Sequence, residues 1–80
     1  PSVVLERSSE YRLAFSNKNI PNMLGQVLPI LANAEINVLD MMNKSRGEIA
    51  YSILDIDKPV GDEVIDSIKA IDGIYAVRVH

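Results

Sequence analysis

The chain has 80 residues, a formal net charge of −3 and 48% hydrophobic residues, which suits one folded domain. The negative charge argues against a nucleic-acid partner, because such proteins usually carry a basic surface. The lack of cysteine excludes disulfides and thiolate metal sites. No apolar run approaches the roughly 20 residues that span a bilayer, and a cytoplasmic location is the simplest expectation.

The chain begins on Pro1 and not on methionine, and we expect it to be a piece of a longer protein or a processed product. Residues 1–9 are predicted to be a linker from an upstream domain, and residues 10–80 to be the folded domain. A domain of this size buries only about 60% of the surface of its unfolded chain. It would therefore gain stability from a partner. His80 is the only histidine, and we assign it no function.

The first half predicts a strand followed by a helix. From Tyr11 the residues alternate, with Leu13 and Phe15 facing inward, as in a half-buried strand. Pro21 is expected in the first helical turn, where proline is tolerated, with Asn19 or Asn22 as the cap. An apolar stripe at helical spacing follows, formed by Leu24, Val27, Leu28 and Leu31. Pro29 predicts a kink in this helix, which Gly25 would accommodate.

The second half predicts a hairpin, a helix and a last strand. The strands are expected at Ile36–Asn43, Glu48–Asp55 and Ile74–Val79, with Gly47 supplying a positive φ in the hairpin turn. The helix is expected to start at Asp57–Pro59, to bury Val64, Ile65, Ile68 and Ile71, and to end at Gly73. The order β-α-β-β-α-β predicts an α+β, ferredoxin-like sandwich. It would have a four-stranded antiparallel sheet with two helices on one face.

Asparagines are concentrated around the first predicted loop. Asn17, Asn19 and Asn22 lie within six positions, and Asn37 begins the next strand. Such residues are common in turns and caps for purely local reasons. Alternatively, amide groups and free N–H groups at a helix start would hold the carboxylate and ammonium of a zwitterion. The residues alone leave both interpretations open.

The strand at 36–43 is apolar on both faces. If it lies at the edge of the sheet, it invites pairing with a second copy, and we expect a homodimer through this edge. The alternative is a strand buried within its own sheet. The acidic residues near the second helix are best explained as a solvated surface. We therefore predict no catalytic residues and no metal site.

RNA-recognition domains share this element order. However, Arg46-Gly47 is followed by Glu48, Ile49, Ala50 and Tyr51, so the aromatics that stack bases are mostly missing. We expect neither a nucleic-acid nor a membrane partner.

Several stretches carry a likeness to a known family: Tyr11–Leu13 with Asn19–Val27, Ile36–Met41, Asn43–Tyr51, Ile68–Ile71 and Val77–Val79. Through them the chain resembles an ACT domain, in particular the C-terminal regulatory domain of D-3-phosphoglycerate dehydrogenase. The resemblance covers residues 10 to 80. It implies a domain that pairs side by side and binds L-serine, or another small amino acid, between two subunits. It also implies a parent enzyme that uses NAD, whereas this chain itself would hold no cofactor.

The resemblance also implies the binding residues. Asn19, Pro21 and the stretch Asn22, Met23 and Leu24 would line the site from one subunit, and Asn37 would contact the ligand from the neighbour. Asn17 stands where a serine-inhibited relative has histidine, and Asn22 stands where such loops usually have glycine. These departures keep two alternatives open, namely a dimerisation module that has lost its ligand and an ACT domain of another amino-acid enzyme.

Overall fold

The computed structural model describes residues 11–79. Its elements run in the order β1, α1, β2, β3, α2, β4. The strands are Tyr11–Lys18, Val38–Arg46, Ile49–Ile56 and Ile74–Val79, and the helices are Leu24–Asn33 and Asp62–Lys69. All strand pairs are antiparallel, in the order β2-β3-β1-β4. The predicted ferredoxin-like architecture is confirmed. The predicted linker 1–9 and His80 lie outside the described residues.

The core lies between the sheet and the helices. The β1 alternation places Leu13 and Phe15 inward, opposite Leu54 and Ser52 of β3. Val27 and Leu31 of α1 and Ile68 of α2 close over them. The buried members of this cluster are aliphatic apart from Phe15, in keeping with a sequence that has one phenylalanine, three tyrosines and no tryptophan.

The start of α1 differs from the prediction. Pro21 and Asn22 form a turn before the helix, which begins only at Leu24. Met23 occupies the cap position, and no side chain caps the helix. The expectation that Pro21 lies in the first helical turn and that Asn19 or Asn22 caps it is therefore wrong. Pro29 does lie inside one continuous helix, as expected.

The hairpin and the second helix are also displaced from their predicted bounds. β2 runs on to Arg46, because a two-residue turn, Gly47-Glu48, connects it to β3. Gly47 has φ 62°, which confirms the positive φ predicted there. The second helix begins at Asp62, after Gly61 as its cap, so Asp57–Pro59 lie outside it. It ends at Lys69, and Gly73 belongs to the loop before β4.

β2 is an edge strand, as the dimer hypothesis required. All nine of its residues are exposed. They include Leu39, Met41 and Met42, each about half exposed. Neither described helix is long and apolar enough to cross a membrane.

Candidate functional site

A cavity of about 260 Å³ lies between the start of α1, the inward face of the sheet and the β2–β3 hairpin. Its polar lining consists of four asparagines, Asn17, Asn19, Asn22 and Asn43. Its other lining residues are Ile20, Met23, Leu24, Gly25 and Ala50. No charged side chain lines it. A site of this kind offers amide donors and acceptors to a ligand that is neutral overall.

The turn before α1 shapes one wall of the cavity. Asn22 has φ 67°, a left-handed conformation that asparagine tolerates better than most residues. Proline followed by a residue with positive φ is typical of the two central positions of a type II turn. This explains why asparagine can stand where the resemblance predicts glycine.

The Asn22 side chain then folds over the first turn of α1. A Cβ at Gly25 would collide with the Asn22 Oδ1 atom. A side chain at position 25 would therefore displace the Asn22 amide from this position. The same packing brings the Asn22 amide into the cavity wall.

Asn19 holds the loop to the hairpin, and Asn17 is fixed beside it at the end of β1. Asn17 is 3% exposed, and its Nδ2 donates to the carbonyl of Lys18 at 2.7 Å. The Asn19 N–H donates to the Glu48 carbonyl at 2.8 Å, and its Nδ2 donates to the Gly47 carbonyl at 3.0 Å. The tip of the β2–β3 hairpin is thus bonded to the loop between β1 and α1. This hairpin contact positions Asn19 at the mouth of the cavity.

The start of α1 adds backbone donors. The first backbone bonds there run from the N–H groups of Gln26 and Val27 to the Met23 carbonyl. The N–H groups that precede them have no partner within a helix, and Met23, Leu24 and Gly25 line the cavity. A helix N-terminus also attracts negative charge through its dipole. The cavity is therefore suited to a carboxylate on the helix side.

Asn43 is a site residue that the sequence did not indicate. It lies opposite Ser52 in the β2–β3 ladder, and its Nδ2 donates to the Ser52 Oγ at 2.7 Å. Asn17 pairs with Ala50 in the β1–β3 ladder, two residues away from Ser52. Only the register of the two ladders brings Asn43 and Asn17 to one cavity. The strand pattern alone could not show this.

Asn37 does not line the cavity of its own chain. It precedes β2, six residues from Asn43, which corresponds to roughly 20 Å along a strand. Its N–H and its Nδ2 donate to the two carboxylate oxygens of Asp57, each at 2.9 Å. These bonds, that of the backbone N–H first, lower the pKa of Asp57 below its ordinary value. Of the predicted residues, Pro21 is also absent from the lining, whereas Asn17, Asn19, Asn22, Met23 and Leu24 are present.

No grouping of histidine, cysteine, aspartate or glutamate among residues 11–79 could hold a metal ion. Asp55 of β3 pairs with Arg12 of β1, on the face of the sheet away from the helices. The Arg12 Nε donates to the Asp55 Oδ1 at 2.8 Å, and this bond raises the pKa of the guanidinium. Asp57 is held by Asn37, while Asp62 and Glu63 lie in the first turn of α2. The acidic residues are therefore distributed over separate surfaces.

Solved structures share this architecture. The ACT domain of GTP pyrophosphokinase from Chlorobium tepidum matches with a TM-score of 0.71 and 14% identity, over 88% of this chain and 95% of that one. The regulatory subunit of aspartate kinase from Thermus thermophilus matches with a TM-score of 0.69 and 13% identity. It is covered over 49% of its length, and this chain over 88%. The chain thus has the fold of ACT domains. No protein-family model and no curated protein matches it.

Proposed function

We propose that this chain is a regulatory domain that binds a small amino acid, with L-serine as the first candidate. The observation that carries the proposal is the cavity beside α1, which four asparagines line and no charged side chain enters. A free amino acid is a zwitterion, and amides can pair with both of its charged groups. In an ACT fold, this provides a binding site for a ligand of zero net charge.

The binding mode follows from the geometry of the cavity. The ligand carboxylate accepts from the N–H groups at the start of α1, and its ammonium donates to amide or carbonyl oxygens of the loop. The hydroxyl of serine would reach the pair formed by Asn43 and Ser52, which lies on the sheet side. The volume of about 260 Å³ favours a small side chain.

A second copy completes the site in this proposal. In an antiparallel pairing of two β2 strands around Asp40, the start of one strand lies beside the middle of the other. This brings Asn37 of one copy near Asn43 of its partner, with the exact pairing set by the register irregularity between Val38 and Asp40. Asn43 lines the cavity. The exposed edge strand and the distance of Asn37 from its own cavity both support this dimer. Ligand bridging the two copies would stabilise one arrangement of the pair.

The parent protein in this proposal is an NAD-dependent D-3-phosphoglycerate dehydrogenase of the cytoplasm. The likeness in the stretches Asn19–Val27 and Ile36–Met41 supports it. The chain itself performs no reaction, and NAD would bind the upstream part of the parent. Serine would inhibit by its differential affinity for two arrangements of the enzyme, and such coupling is typically about 1–3 kcal/mol.

Calorimetric titration with the common amino acids tests the proposal. We expect serine to bind, and Asn19→Ala to weaken its binding by about tenfold, which corresponds to the loss of one hydrogen bond to a charged group. Asn33→Ala is the matched control, since Asn33 is an exposed asparagine at the end of α1. Equal serine affinities of Asn19→Ala and Asn33→Ala would contradict the assignment of the cavity as the binding site. Tighter binding of another amino acid would identify that amino acid as the ligand in place of serine, and the assignment of the cavity as the binding site would stand.

One observation favours the alternative of a purely structural dimerisation module. The Asn22 side chain lies against Gly25 and narrows the cavity at the point where a smaller residue would leave room. In that case no amino acid would bind the dimer. Titration of Asn22→Gly distinguishes the two, because binding that appears only in this variant would show an intact site closed by one side chain.

A further inference from the structure

The face of the sheet opposite the helices carries most of the described cations. Cross-strand partners share a face of the sheet, and Ser52 and Leu54 of β3 are buried on the helix side. The intervening positions of β3 and their partners therefore form the open face. Of the seven lysines and arginines among residues 11–79, five lie there: Arg12, Lys18, Lys44, Arg46 and Arg78.

The acidic residues are distributed in the opposite way. On the open face, Asp40 and Asp55 lie opposite each other at one end, and Asp55 is bound by Arg12. The helix α2 and its flanking loops carry Asp57, Asp62, Glu63, Asp66 and Asp72, and Glu35 and Glu48 lie in the turns before β2 and β3. The net charge of −3 thus conceals a basic sheet face.

A largely apolar groove lies at the centre of the open face. This groove of about 420 Å³ has a floor of small residues from β1 and β4, Ala14, Ser16 and Ala76. Tyr51 and Ile53 of β3 form one wall and Arg78 the other. Tyr51 is 50% exposed. Apolar side chains entering this groove would come into contact with the tyrosine ring and the small floor.

The cations on the two sides of the groove are separated by about the diameter of an α-helix. Lys44 and Arg46 lie on β2, and Arg78 lies on β4. These strands are three positions apart in the sheet, which is about 14 Å. An α-helix with its side chains is about 10–12 Å wide. A helix lying along the strands would therefore have a cation on each side and an apolar floor beneath it.

We propose that the open sheet face is a docking site for an acidic, amphipathic helical segment of a protein partner. Charge complementarity and the apolar floor select this occupant. Sheet surfaces that bind single-stranded nucleic acid stack bases on several aromatics, whereas β1 and β4 present Ala14, Ser16 and Ala76 beside Tyr51. The acidic helix layer would also repel a long polyanion at low salt. A short acidic segment contacts only the basic face.

Fluorescence anisotropy with a labelled peptide tests the proposal. A peptide of about 16 residues is used, because a helix of that length spans about 24 Å. The peptide has leucine at helical spacing and glutamate elsewhere. We expect binding that weakens in 0.5 M salt, because the Debye length falls from about 10 Å at 0.1 M salt to about 4 Å at 0.5 M. We expect no binding of the same peptide with lysine in place of glutamate. Lys44→Gln with Arg46→Gln should weaken binding by about tenfold. Tyr51→Ala should also weaken it.

Lys58→Gln with Lys69→Gln is the matched control, because it removes the same charge from the helix side. Thermal melting checks that both double variants fold. An equal loss in the two double variants, or no binding of the acidic peptide, would overturn the proposal. Tighter binding of oligodeoxythymidylate than of the peptide would overturn it in favour of nucleic acid. Sedimentation showing that Tyr51→Ala separates copies that the unaltered chain holds together would overturn it in favour of self-association.

Discussion

Asn22 links backbone conformation to the shape of the cavity. At φ 67° an alanine would be strained, whereas glycine would not. We predict that Asn22→Ala lowers the free energy of unfolding by about 1 kcal/mol, and that Asn22→Gly changes it by less. Urea denaturation of the two variants measures the difference. Equal stability of both would show that the turn relaxes when the side chain is removed.

Asn37 has a structural role that is separate from the proposed ligand contact. Its N–H and its side chain stabilise the ionised form of Asp57 and so lower the pKa of that carboxyl. A depressed folded-state pKa means that this stabilisation is present above the ordinary pKa and is lost as pH falls through the folded value. The relevant window therefore lies at acid pH, below the ordinary range of aspartate.

We predict that Asn37→Ala raises the pKa of Asp57 part of the way towards its ordinary value. The shift is partial because the backbone N–H, the larger cause, remains. A carboxyl-detected NMR titration measures it. Asn33→Ala serves as the control and should leave Asp57 unchanged. An unaltered pKa in Asn37→Ala would show that the side-chain bond does not persist in solution.

The edge strand β2 is the element on which association depends. The apolar stretch of an exposed edge pairs readily with another chain, and a lysine within that stretch opposes such pairing. Lys44 and Arg46 lie beyond it, at the far end of β2. We predict that Met41→Lys converts the proposed dimer into a monomer with little change in stability, because Met41 is 46% exposed. Sedimentation velocity measures the conversion. Ile49→Lys is the control on β3, an interior strand with a similarly exposed side chain, and it should remain a dimer.

Element order and most strand positions were predictable from the sequence, because alternation in β1 and the apolar stripe of α1 are local patterns. The helix starts were not. Pro21 favours both a first helical turn and a type II turn, and the positive φ of Asn22 decides for the turn. In the second helix Gly61 is the cap, although Asp57 and Pro59 offer a similar start signal.

The cavity was predictable only in part, because some of its lining residues are close in sequence and others are brought together by strand pairing. The loop residues Asn17, Asn19 and Asn22 are close in sequence and could be grouped by inspection. Asn43 reaches them through the pairing of β2 with β3 and of β3 with β1. The basic open face depends on the same ladders. Composition gives only the sum of the charges, whereas the strand register decides which face of the sheet each charge lies on.

The molecule has three surfaces with different chemistry: a neutral amide cavity beside α1, an apolar edge at β2 and a basic open face. The cavity and the edge meet at Asn43, which belongs to β2 and lines the cavity. A dimer through this edge would therefore couple association to ligand binding. The open face lies on the other side of the sheet and would remain accessible in such a dimer.

Mixing two inactive variants would show whether the site is shared between copies. In the proposed dimer, each site takes Asn19 from one copy and Asn37 from the other. Asn19→Ala and Asn37→Ala should each bind serine weakly as homodimers. After mixing and subunit exchange, about half of the dimers combine one of each, and such a dimer has one site with both asparagines and one with neither. Calorimetry should then find strong binding at about one site in four. If both residues served a site within one chain, mixing would restore nothing, because every site would still lack one of them.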